Sequence, residues 1–275
     1  MANYTAADVK ALREKSGAGM MDCKGALDEA DGNVEKALEV LRLKGLKGVT
    51  KREGRTTSNG LIVARVSGGT GVLIELACET DFVAKAEKFV ALAEKVADAV
   101  VASGAEDLAA ALEAPLDNGT VASVINDEAA IMGEKVELRR VAVVKDAGVD
   151  AYLHRTSKDL PPQVGVLVAY SGGDAETAHD VAVHIAAFSP TVLHRDDVAE
   201  ETVATERRIA RQTAIDEGKP EAALEKIVEG RVNGFFKENV LLEQDFAKDN
   251  KQTVGKVLET AGVKVSTFVR FRVGA

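Results

Sequence analysis

Residues 61–83 read LIVARVSGGTGVLIELACETDFV, and this stretch decides the fold of the chain. Two runs rich in branched apolar residues, 61–66 and 72–77, flank the glycine-rich segment 67–71, which predicts two antiparallel strands joined by a tight turn. A helix is expected to begin near Thr80, because a threonine that follows a strand can cap the first helical turn. The stretch therefore predicts a β-hairpin that leads directly into a helix.

The segments that follow complete the first half of the chain. Apolar residues recur at helical spacing after Thr80, which predicts one long helix with a buried face. Residues 120–125 begin a further helix, and residues 136–144 form a third strand. The residues on the buried face of the long helix are Phe89, Val90, Ala93, Val96, Ala97 and Val100.

The second half of the chain repeats this order of elements. Residues 60–146 and 147–275 are therefore predicted to be two related α+β subdomains. Their sheets should be antiparallel, because hairpins rather than crossovers join the first two strands of each. The segments of the second half, in the order strand, strand, helix, helix and strand, are 149–154, 164–170, 174–188, 253–258 and 265–271.

Residues 1–44 predict a separate bundle of three short helices. Thr5 and Asp8 have the spacing of a capping box, and Gly17 is expected to end the first helix. A second helix is predicted over about 20–30, and a third follows it. Because so small a bundle has little room for a pocket, it is interpreted as a docking module.

Residues 45–59 are predicted to be a basic linker. Five basic residues and one acid lie between Lys44 and Asn59, among Gly, Thr and Ser. Such a segment either contacts an acidic surface of a partner or is simply solvated, and the composition leaves both interpretations open.

Residues 196–239 interrupt the second subdomain with a sequence rich in Glu, Arg, Ala and Lys. Two helical patterns flank the turn 217–220, and apolar residues are sparse on both. This pattern predicts an inserted helical hairpin that projects as an antiparallel coiled coil. The hairpin is either an interaction arm, with self-association as one use, or a purely structural element. Its expected apolar residues are Val198, Thr202, Ile209, Ile215, Leu224, Ile227, Val228 and Val232.

Composition excludes several classes of protein. The 275 residues are 46% hydrophobic and 29% charged, which indicates a globular chain of about two domains. The 35 basic and 44 acidic residues give a net charge of −9, which argues against direct binding of nucleic acid. No apolar run approaches the about 18 residues of a spanning helix, and the N-terminus has no apolar signal region. A cytoplasmic protein that does not enter membranes is expected.

Sequence signatures of catalysis are not found. The chain contains no phosphate-loop, zinc-protease, hydrolase or dinucleotide motif. His179 and His184 would diverge by about 140° on a helix, so they are not expected to share a metal ion. His184 is interpreted as a histidine at the edge of the core. Cys23 and Cys78 are far apart and are expected to be reduced, buried thiols.

Residues 79–83, ETDFV, place a carboxylate and a bulky aromatic residue at the predicted junction of strand and helix. In one interpretation Thr80 or Asp81 caps the helix, and Phe82 joins the apolar face that contains Phe89. In the other, Asp81 and Phe82 lie on an exposed corner and insert into another protein. The residue pattern by itself favours the first interpretation.

Five strings occur in the order typical of one known family. The two most specific are LREKSGAGMMDCK at 12–24 and TDFV at 80–83, and similar segments lie at 183–187, 241–246 and 268–271. On these strings the chain resembles bacterial translation elongation factor Ts over essentially its whole length.

The resemblance implies a fold and a function. It implies a ubiquitin-associated-like N-terminal module, two related subdomains and an inserted helical hairpin. It also implies a guanine nucleotide exchange factor that binds elongation factor Tu, both GDP-bound and nucleotide-free, and carries out no covalent chemistry. No cofactor, metal ligand or catalytic residue is implied.

The resemblance also implies roles for particular residues. One segment is expected to displace magnesium from the nucleotide site of the partner, and whether its carboxylate competes for the metal or only positions the helix stays open. The N-terminal module is expected to dock on the nucleotide-binding domain of the partner. The residues with the first role are Thr80, Asp81, Phe82 and Val83, and those with the second are Arg13, Met20 and Met21.

Two departures from the family pattern are visible. Asp245 stands where the family usually has proline, which leaves the local turn open. The sequence ends four residues after Phe271, so the C-terminal helical extension of some members, with its partner contacts, is expected to be absent.

Two other functional classes remain as alternatives. A small-molecule enzyme would use the glycine-rich segments 67–71 and 171–173 to hold phosphate, although turns are the favoured interpretation. An adaptor would need only residues 1–44 for its main interaction. The TDFV segment and the repeated core argue against both.

Overall fold

The computed structural model describes residues 3–16 and 18–275, apart from the side chains at positions 46, 47 and 50. The chain opens with three helices, α1 (Ala6–Ser16), α2 (Met20–Glu29) and α3 (Val34–Arg52). The predicted end of the first helix at Gly17 lies outside the described residues.

The predicted capping box at the start of α1 is confirmed. The Thr5 amide donates to Asp8 Oδ2 at 2.7 Å, and the Asp8 amide donates to Thr5 Oγ1 at 3.3 Å. These two bonds satisfy amides that the first helical turn otherwise leaves without a partner. The three helices enclose a small core whose buried residues are Val9, Leu12, Cys23, Ala26, Leu27, Ala30 and Ala37.

The first half of the core follows the predicted order of elements, with two additions. A short helix and a two-stranded ribbon lie before the last helix, and neither was predicted. The elements are β1 (Asn59–Ser67), β2 (Thr70–Cys78), α4 (Asp81–Ala84), α5 (Glu87–Ser103), α6 (Leu108–Glu113), β3 (Pro115–Leu116), β4 (Gly119–Thr120), α7 (Val121–Met132) and β5 (Val136–Lys145).

The second half repeats the order strand, strand, helix, helix and strand, with the helical hairpin inserted. Asp245, where the resemblance implied a proline, begins a short strand and pairs there with Thr253. The elements are β6 (Gly148–His154), β7 (Val164–Ser171), α8 (Ala175–Phe188), α9 (Glu200–Asp216), α10 (Glu221–Asn239), β8 (Asp245–Phe246), β9 (Asp249–Thr253), α11 (Val254–Ala261) and β10 (Lys264–Arg272).

Two three-stranded antiparallel sheets form the centre of the molecule, in the orders β1-β2-β5 and β10-β7-β6. Within β1, Leu61 and Val63 contact the layer of helices, whereas Ile62 packs against the second sheet with Leu167. Strand residues alternate between the two faces, so the sheets stack face to face with helices outside. The mixed fold of helices and antiparallel sheets with N-terminal helices is therefore as predicted.

The stacked sheets approach each other closely at Gly165 on β7. A Cβ atom at this position would lie 2.4 Å from Ile62 Cγ2 and 2.9 Å from Leu73 Cδ1. Both distances are far shorter than ordinary van der Waals contact, so only glycine fits between these side chains.

The glycine-rich segment 67–71 forms the predicted turn between β1 and β2. Ser67 pairs with Thr70, and Gly68 and Gly69 have φ angles of 55° and 78°. Two consecutive positive φ angles are typical of the tight turn that matches the twist of a hairpin. These glycines are therefore required by the backbone conformation.

The prediction of one long helix after Thr80 is wrong, because two helices are present. Ala86 adopts an extended conformation, with φ −69° and ψ 134°, and separates α4 from α5. In a continuous helix Phe82 and Phe89, seven residues apart, would share a face. The break lets Phe89 enter the core while Phe82 remains outside it.

The prediction of a linker over 45–59 is wrong for its first part, because α3 continues to Arg52. Packing on α7 stabilises this extension: Arg42 Nη2 lies 2.9 Å from Asp127 Oδ2, and a Cβ atom at Gly45 would lie 2.6 Å from Ala130 Cβ. Arg52 Nη1 also donates to a carbonyl of α7, that of Ala129, at 3.3 Å. The composition of the segment did not reveal these tertiary contacts.

The inserted hairpin of α9 and α10 is confirmed as antiparallel. Arg207 pairs with Glu229 and Arg211 with Glu225, so the two chains run in opposite directions. The predicted positions of Thr202, Ile209 and Ile215 in the seam are wrong, because these side chains are exposed. The buried residues of α9 are instead the small alanines Ala210 and Ala214. The buried seam consists of Ala210, Ala214, Leu224, Val228, Val232 and Phe236.

Two further features of the described chain bear on function. No helix within it is long and apolar enough to cross a membrane. Cys23 and Cys78 are both free and fully buried, as predicted.

Candidate functional site

Helix α4 forms an exposed corner between β2 and α5. The Phe82 side chain is 73% exposed, although it is large and apolar, and the Asp81 side chain is 50% exposed. Ala84 is buried, and Val83 packs partly against the core, so these two residues fix the corner to the body of the protein. The geometry thus contradicts the interpretation in which Phe82 joins the core face.

The carboxylate of Glu134, just beyond α7, binds the beginning of this corner. Glu134 Oε2 accepts hydrogen bonds from the amides of Glu79 and Thr80 at 3.1 and 3.0 Å. Glu134 Oε1 accepts a bond from the Thr80 hydroxyl at 2.5 Å. The same hydroxyl oxygen accepts the Val83 amide at 3.3 Å and so caps α4.

Glu79 makes the reciprocal contacts. Its Oε1 accepts the Lys135 amide at 2.6 Å, and its Oε2 lies 3.2 Å from Arg55 Nη1. Its carbonyl oxygen accepts Asn59 Nδ2 at 2.8 Å. Burial raises the pKa of the Glu79 carboxyl, but the Lys135 amide and the Arg55 guanidinium lower it by more, so the pKa lies below its ordinary value. The ionised Glu79 side chain therefore stabilises the corner.

Lys85 contacts both outward side chains of the corner. Its Nζ atom lies 3.3 Å from Asp81 Oδ2 and 4.6 Å from the centre of the Phe82 ring. An exposed contact of a cation with an aromatic face contributes about 0.5–1 kcal/mol. The Asp81 carboxylate is thus paired with a neighbouring cation.

Cys78 lies directly beneath the corner and is chemically inert there. Its Sγ atom donates to the Thr80 carbonyl at 3.3 Å. Burial, together with the nearby negative charge of Glu134, raises the pKa of the Cys78 thiol to about 12. Because the thiolate is the reactive form, this residue packs the base of the corner rather than taking part in chemistry.

A second exposed surface lies on the N-terminal module, in an open groove between α1 and α2. Met20 and Met21 are 55% and 74% exposed, and Arg13 is exposed beside them. Adaptable methionine side chains next to basic groups are suited to contact with another protein. The residues along the groove include Tyr4, Val9, Lys10, Arg13, Met20 and Met21.

The packing of α3 on α7 joins the two surfaces structurally. Helix α3 belongs to the bundle that carries the groove, and α7 ends at Met132, shortly before Glu134. The sequence prediction included the corner and the groove but missed Glu134. A carboxylate that follows a helix-ending glycine carries no local sign of a partner far away along the chain.

His184 was predicted at the edge of the core as a hydrogen-bonded residue; it is hydrogen-bonded but fully buried, and it links two of the family-like strings. Its Nε2 is 2.8 Å from Gln244 Oε1, and its Nδ1 accepts the Ala247 amide at 3.2 Å. The ring stacks on Phe188 with centres 4.7 Å apart. Burial lowers the pKa of His184, an effect that the Gln244 contact only partly offsets. The neutral ring therefore serves as a structural hydrogen-bonding group.

The class of protein follows from these surfaces. An exposed aromatic residue on a corner fixed by hydrogen bonds, and methionines along a basic groove, are typical of surfaces that bind another protein. Among the described residues, no group of three or more His, Cys, Asp or Glu side chains is placed to hold a metal ion.

Comparison with known proteins gives the family. Residues 79–275 match the family described as Elongation factor TS. The elongation factor Ts of Micrococcus luteus is 63% identical to this chain over 277 residues, and that of Paenarthrobacter aurescens is 61% identical over 277 residues. The elongation factor Ts of Clavibacter michiganensis is 60% identical over 275 residues. Each alignment covers 100% of both chains.

The chain therefore belongs to the elongation factor Ts family. Membership implies a nucleotide exchange factor for elongation factor Tu in translation, and not a catalyst of covalent chemistry.

Proposed function

We propose that this chain binds elongation factor Tu in its GDP-bound and nucleotide-free forms in the cytoplasm. It disturbs the magnesium and phosphate site of the partner, and GDP leaves so that GTP can bind. The observation that carries this proposal is the 73% exposure of Phe82 on a corner that hydrogen bonds hold in place.

Exchange places a thermodynamic condition on binding. The factor must bind the nucleotide-free partner more tightly than the GDP-bound partner, and by linkage GDP then weakens binding of the factor by the same ratio. Only contacts that differ between the two states of the partner produce this effect. An exposed side chain that enters the partner near its nucleotide is such a contact.

The corner is the proposed source of the differential contacts. Phe82 inserts between helices of the partner near its metal site and shifts them, which removes magnesium coordination from the phosphates. A site that relies on Mg²⁺ to neutralise phosphate charge then holds GDP less tightly. Asp81 presents negative charge to the same site once it leaves Lys85, while Thr80 and Val83 fix the position of the corner.

The groove of the N-terminal module is the proposed source of affinity. Arg13, Met20 and Met21 dock on the nucleotide-binding domain of the partner, where burial of the methionines stabilises the complex without distinguishing its nucleotide states. The arm of α9 and α10 is a further candidate contact, either with the partner or with a second copy of the chain.

The proposal is tested by stopped-flow release of a fluorescent GDP from elongation factor Tu. Wild type is compared with Phe82→Ala and with Val101→Ala, which truncates another exposed apolar residue of the same subdomain. We expect Phe82→Ala to slow release by at least about tenfold and to weaken binding to nucleotide-free partner much less. Val101→Ala should behave as wild type.

Three outcomes would contradict the proposal in different ways. If Phe82→Ala lowers the rate of GDP release and the affinity for nucleotide-free partner equally, Phe82 contributes to binding but not to the difference between the nucleotide states. Unfolding of Phe82→Ala would restore the interpretation in which Phe82 supports the core. No acceleration by folded wild type would favour an adaptor function of the N-terminal module.

A further inference from the structure

Helix α4 is too short to fix its own orientation. It has 4 residues, and the main-chain hydrogen bonds at its C-terminal end are those from Ala84 to the Thr80 carbonyl, from Lys85 to the Asp81 carbonyl and from Ala86 to the Val83 carbonyl. A single helical turn is marginal in water, because its hydrogen bonds do not offset the entropy of ordering the chain. The direction in which Phe82 points must therefore be set by contacts from outside the helix.

Core packing of Val83 and Ala84 holds the far end of α4. The hydrogen bonds to Thr80, at the start of the helix, come from the segment of Glu134 and Lys135, which exchanges reciprocal contacts with Glu79 and Thr80. The Glu134 carboxylate accepts the Glu79 and Thr80 amides and the Thr80 hydroxyl. In return, the Glu79 carboxylate accepts the Lys135 amide at 2.6 Å. Two strand ends that are distant in sequence thus hold each other through carboxylate-to-amide bonds, which are stronger than bonds between neutral groups.

The Glu134 side chain is itself held in a defined place. Gly133 ends α7 in a left-handed conformation, with φ 75°, and its amide donates to the Ala129 carbonyl at 3.0 Å. The next residue is thereby directed toward the end of β2. Since α7 also carries the contacts with α3, the same helix supports both the docking module and the corner.

We propose that Glu134 is a positioning residue for nucleotide exchange. This inference rests on the proposed role of the corner. It holds the Thr80 end of α4 so that Asp81 and Phe82 are already oriented before the partner arrives. Without its carboxylate the corner samples many orientations, and few encounters place Phe82 correctly. Docking through the N-terminal groove does not depend on this carboxylate.

The proposal predicts a separation of two kinetic quantities. In Glu134→Ala, the rate of GDP release at saturating factor should fall by about tenfold, because positioning acts on the step after docking. The concentration of factor that gives half the maximal rate should change by less than about threefold. Glu134→Gln should lie between wild type and Glu134→Ala, because the amide oxygen still accepts a hydrogen bond whereas the amide nitrogen does not.

Glu128→Gln is the matched control, because it neutralises a carboxylate on α7, the helix that precedes Glu134, and among the described residues Glu128 forms no hydrogen bond or ion pair with residues 79–85. It should exchange nucleotide at the wild-type rate. Thermal unfolding of every variant, followed by circular dichroism, establishes that the compared proteins are folded.

A spectroscopic measurement separates positioning from general stability. The chain contains no tryptophan, so Phe82→Trp introduces a single fluorescent reporter at the corner. Its fluorescence anisotropy should fall when Glu134→Ala or Glu134→Gln is added, and should be unchanged when Glu128→Gln is added. A merely structural role of Glu134 would lower the unfolding temperature without this local signal.

The outcomes also distinguish the inference from the proposed function. If Phe82→Ala exchanges nucleotide slowly while the Glu134 variants keep the wild-type exchange rate and anisotropy, the proposed role of Glu134 is overturned. The proposed role of the corner then still stands. Wild-type exchange by Phe82→Ala would overturn the proposed role of the corner. If Glu134→Ala does not fold, Glu134→Gln decides: wild-type rate and anisotropy in that variant would contradict the proposal.

Discussion

The Glu75 carboxylate and the Arg140 guanidinium are paired across neighbouring strands, with Arg140 Nε 2.6 Å from Glu75 Oε2. Glu75 is fully buried, on the face of β2 that meets the second sheet. Arg140 Nη2 also donates to the Arg272 carbonyl at 2.7 Å, and the Gly274 amide donates to Glu75 Oε1 at 3.3 Å. One ion pair of the first sheet thus holds the end of the last strand of the second.

Removal of the two partners of this pair should have unequal effects on stability. Arg140→Met should lower the free energy of unfolding by about 3–5 kcal/mol, because among the described residues it leaves the buried carboxylate with the more distant Arg139 as its remaining cation. Glu75→Gln should cost less, about 1–3 kcal/mol, because Arg140 is partly exposed and can be hydrated. Urea unfolding at neutral pH measures both values. The opposite order would mean that the buried carboxylate does not need the charge of Arg140.

Truncation of the groove methionines should weaken docking more than it slows the exchange step. We expect Met20→Ala or Met21→Ala to raise the half-saturating concentration about fivefold to thirtyfold, corresponding to about 1–2 kcal/mol of binding free energy. The maximal rate of GDP release should change little. Leu43→Ala is the control, since Leu43 is a 55% exposed residue of the same module outside the groove. An equal effect of Leu43→Ala would contradict a specific role of the groove.

His184 should make the protein less stable in mild acid. Burial lowers the pKa of His184 from its ordinary value of 6.5, so below pH 6.5 the unfolded chain binds a proton that the folded chain resists. The contribution of the neutral His184 ring to the free energy of unfolding is complete above this pH. It is lost as the pH falls toward the pKa of His184 in the folded protein, by at most about 1.4 kcal/mol per pH unit.

Urea unfolding between about pH 7.5 and about pH 5 measures this slope. His184→Gln should remove it, although the variant will be less stable at every pH. Carboxylates with lowered pKa values, such as Glu79 and Glu243, contribute in a lower range, below their ordinary value of 4.5. An unchanged slope in His184→Gln would assign the acid sensitivity to other groups.

The close approach of the two sheets should make Gly165 intolerant of a side chain. Gly165→Ala places a methyl group against Ile62 and Leu73 and should destabilise the protein by about 1–3 kcal/mol. Gly230→Ala, on an exposed position of α10 where a Cβ atom meets nothing within 4 Å, should instead stabilise by about 0.5–1 kcal/mol. Thermal unfolding of the two variants provides the comparison, and equal shifts would contradict the steric argument.

Local patterns were sufficient to predict most elements of the fold. The apolar runs at 61–66 and 72–77, the glycines between them and the capping residues Thr5 and Thr80 each specify a structure through neighbours in the chain. Two predictions failed where distant residues decide the outcome. Contacts of α3 with α7 extend a helix through a segment with the composition of a linker, and a break at Ala86 divides a helix that the apolar spacing predicts to be continuous.

The candidate site was likewise predicted where local patterns decide the structure and missed where distant contacts decide it. The strings that resemble the family indicated Phe82 and Met21, but spacing alone placed Phe82 in the core. Its exposure depends on the break after α4, which no local pattern shows. Glu134 was missed because its partners, Glu79 and Thr80, lie far away in sequence and its own neighbours form an ordinary helix end.

The two buried thiols have a practical consequence for experiments on this chain. Maleimide dyes react with thiolates, whereas Cys78 has a pKa of about 12 and both Cys23 and Cys78 are shielded from solvent. A single cysteine introduced at an exposed position, such as Met21→Cys, would therefore be the preferred site of labelling. The chain accepts a site-specific dye with its native cysteines left in place.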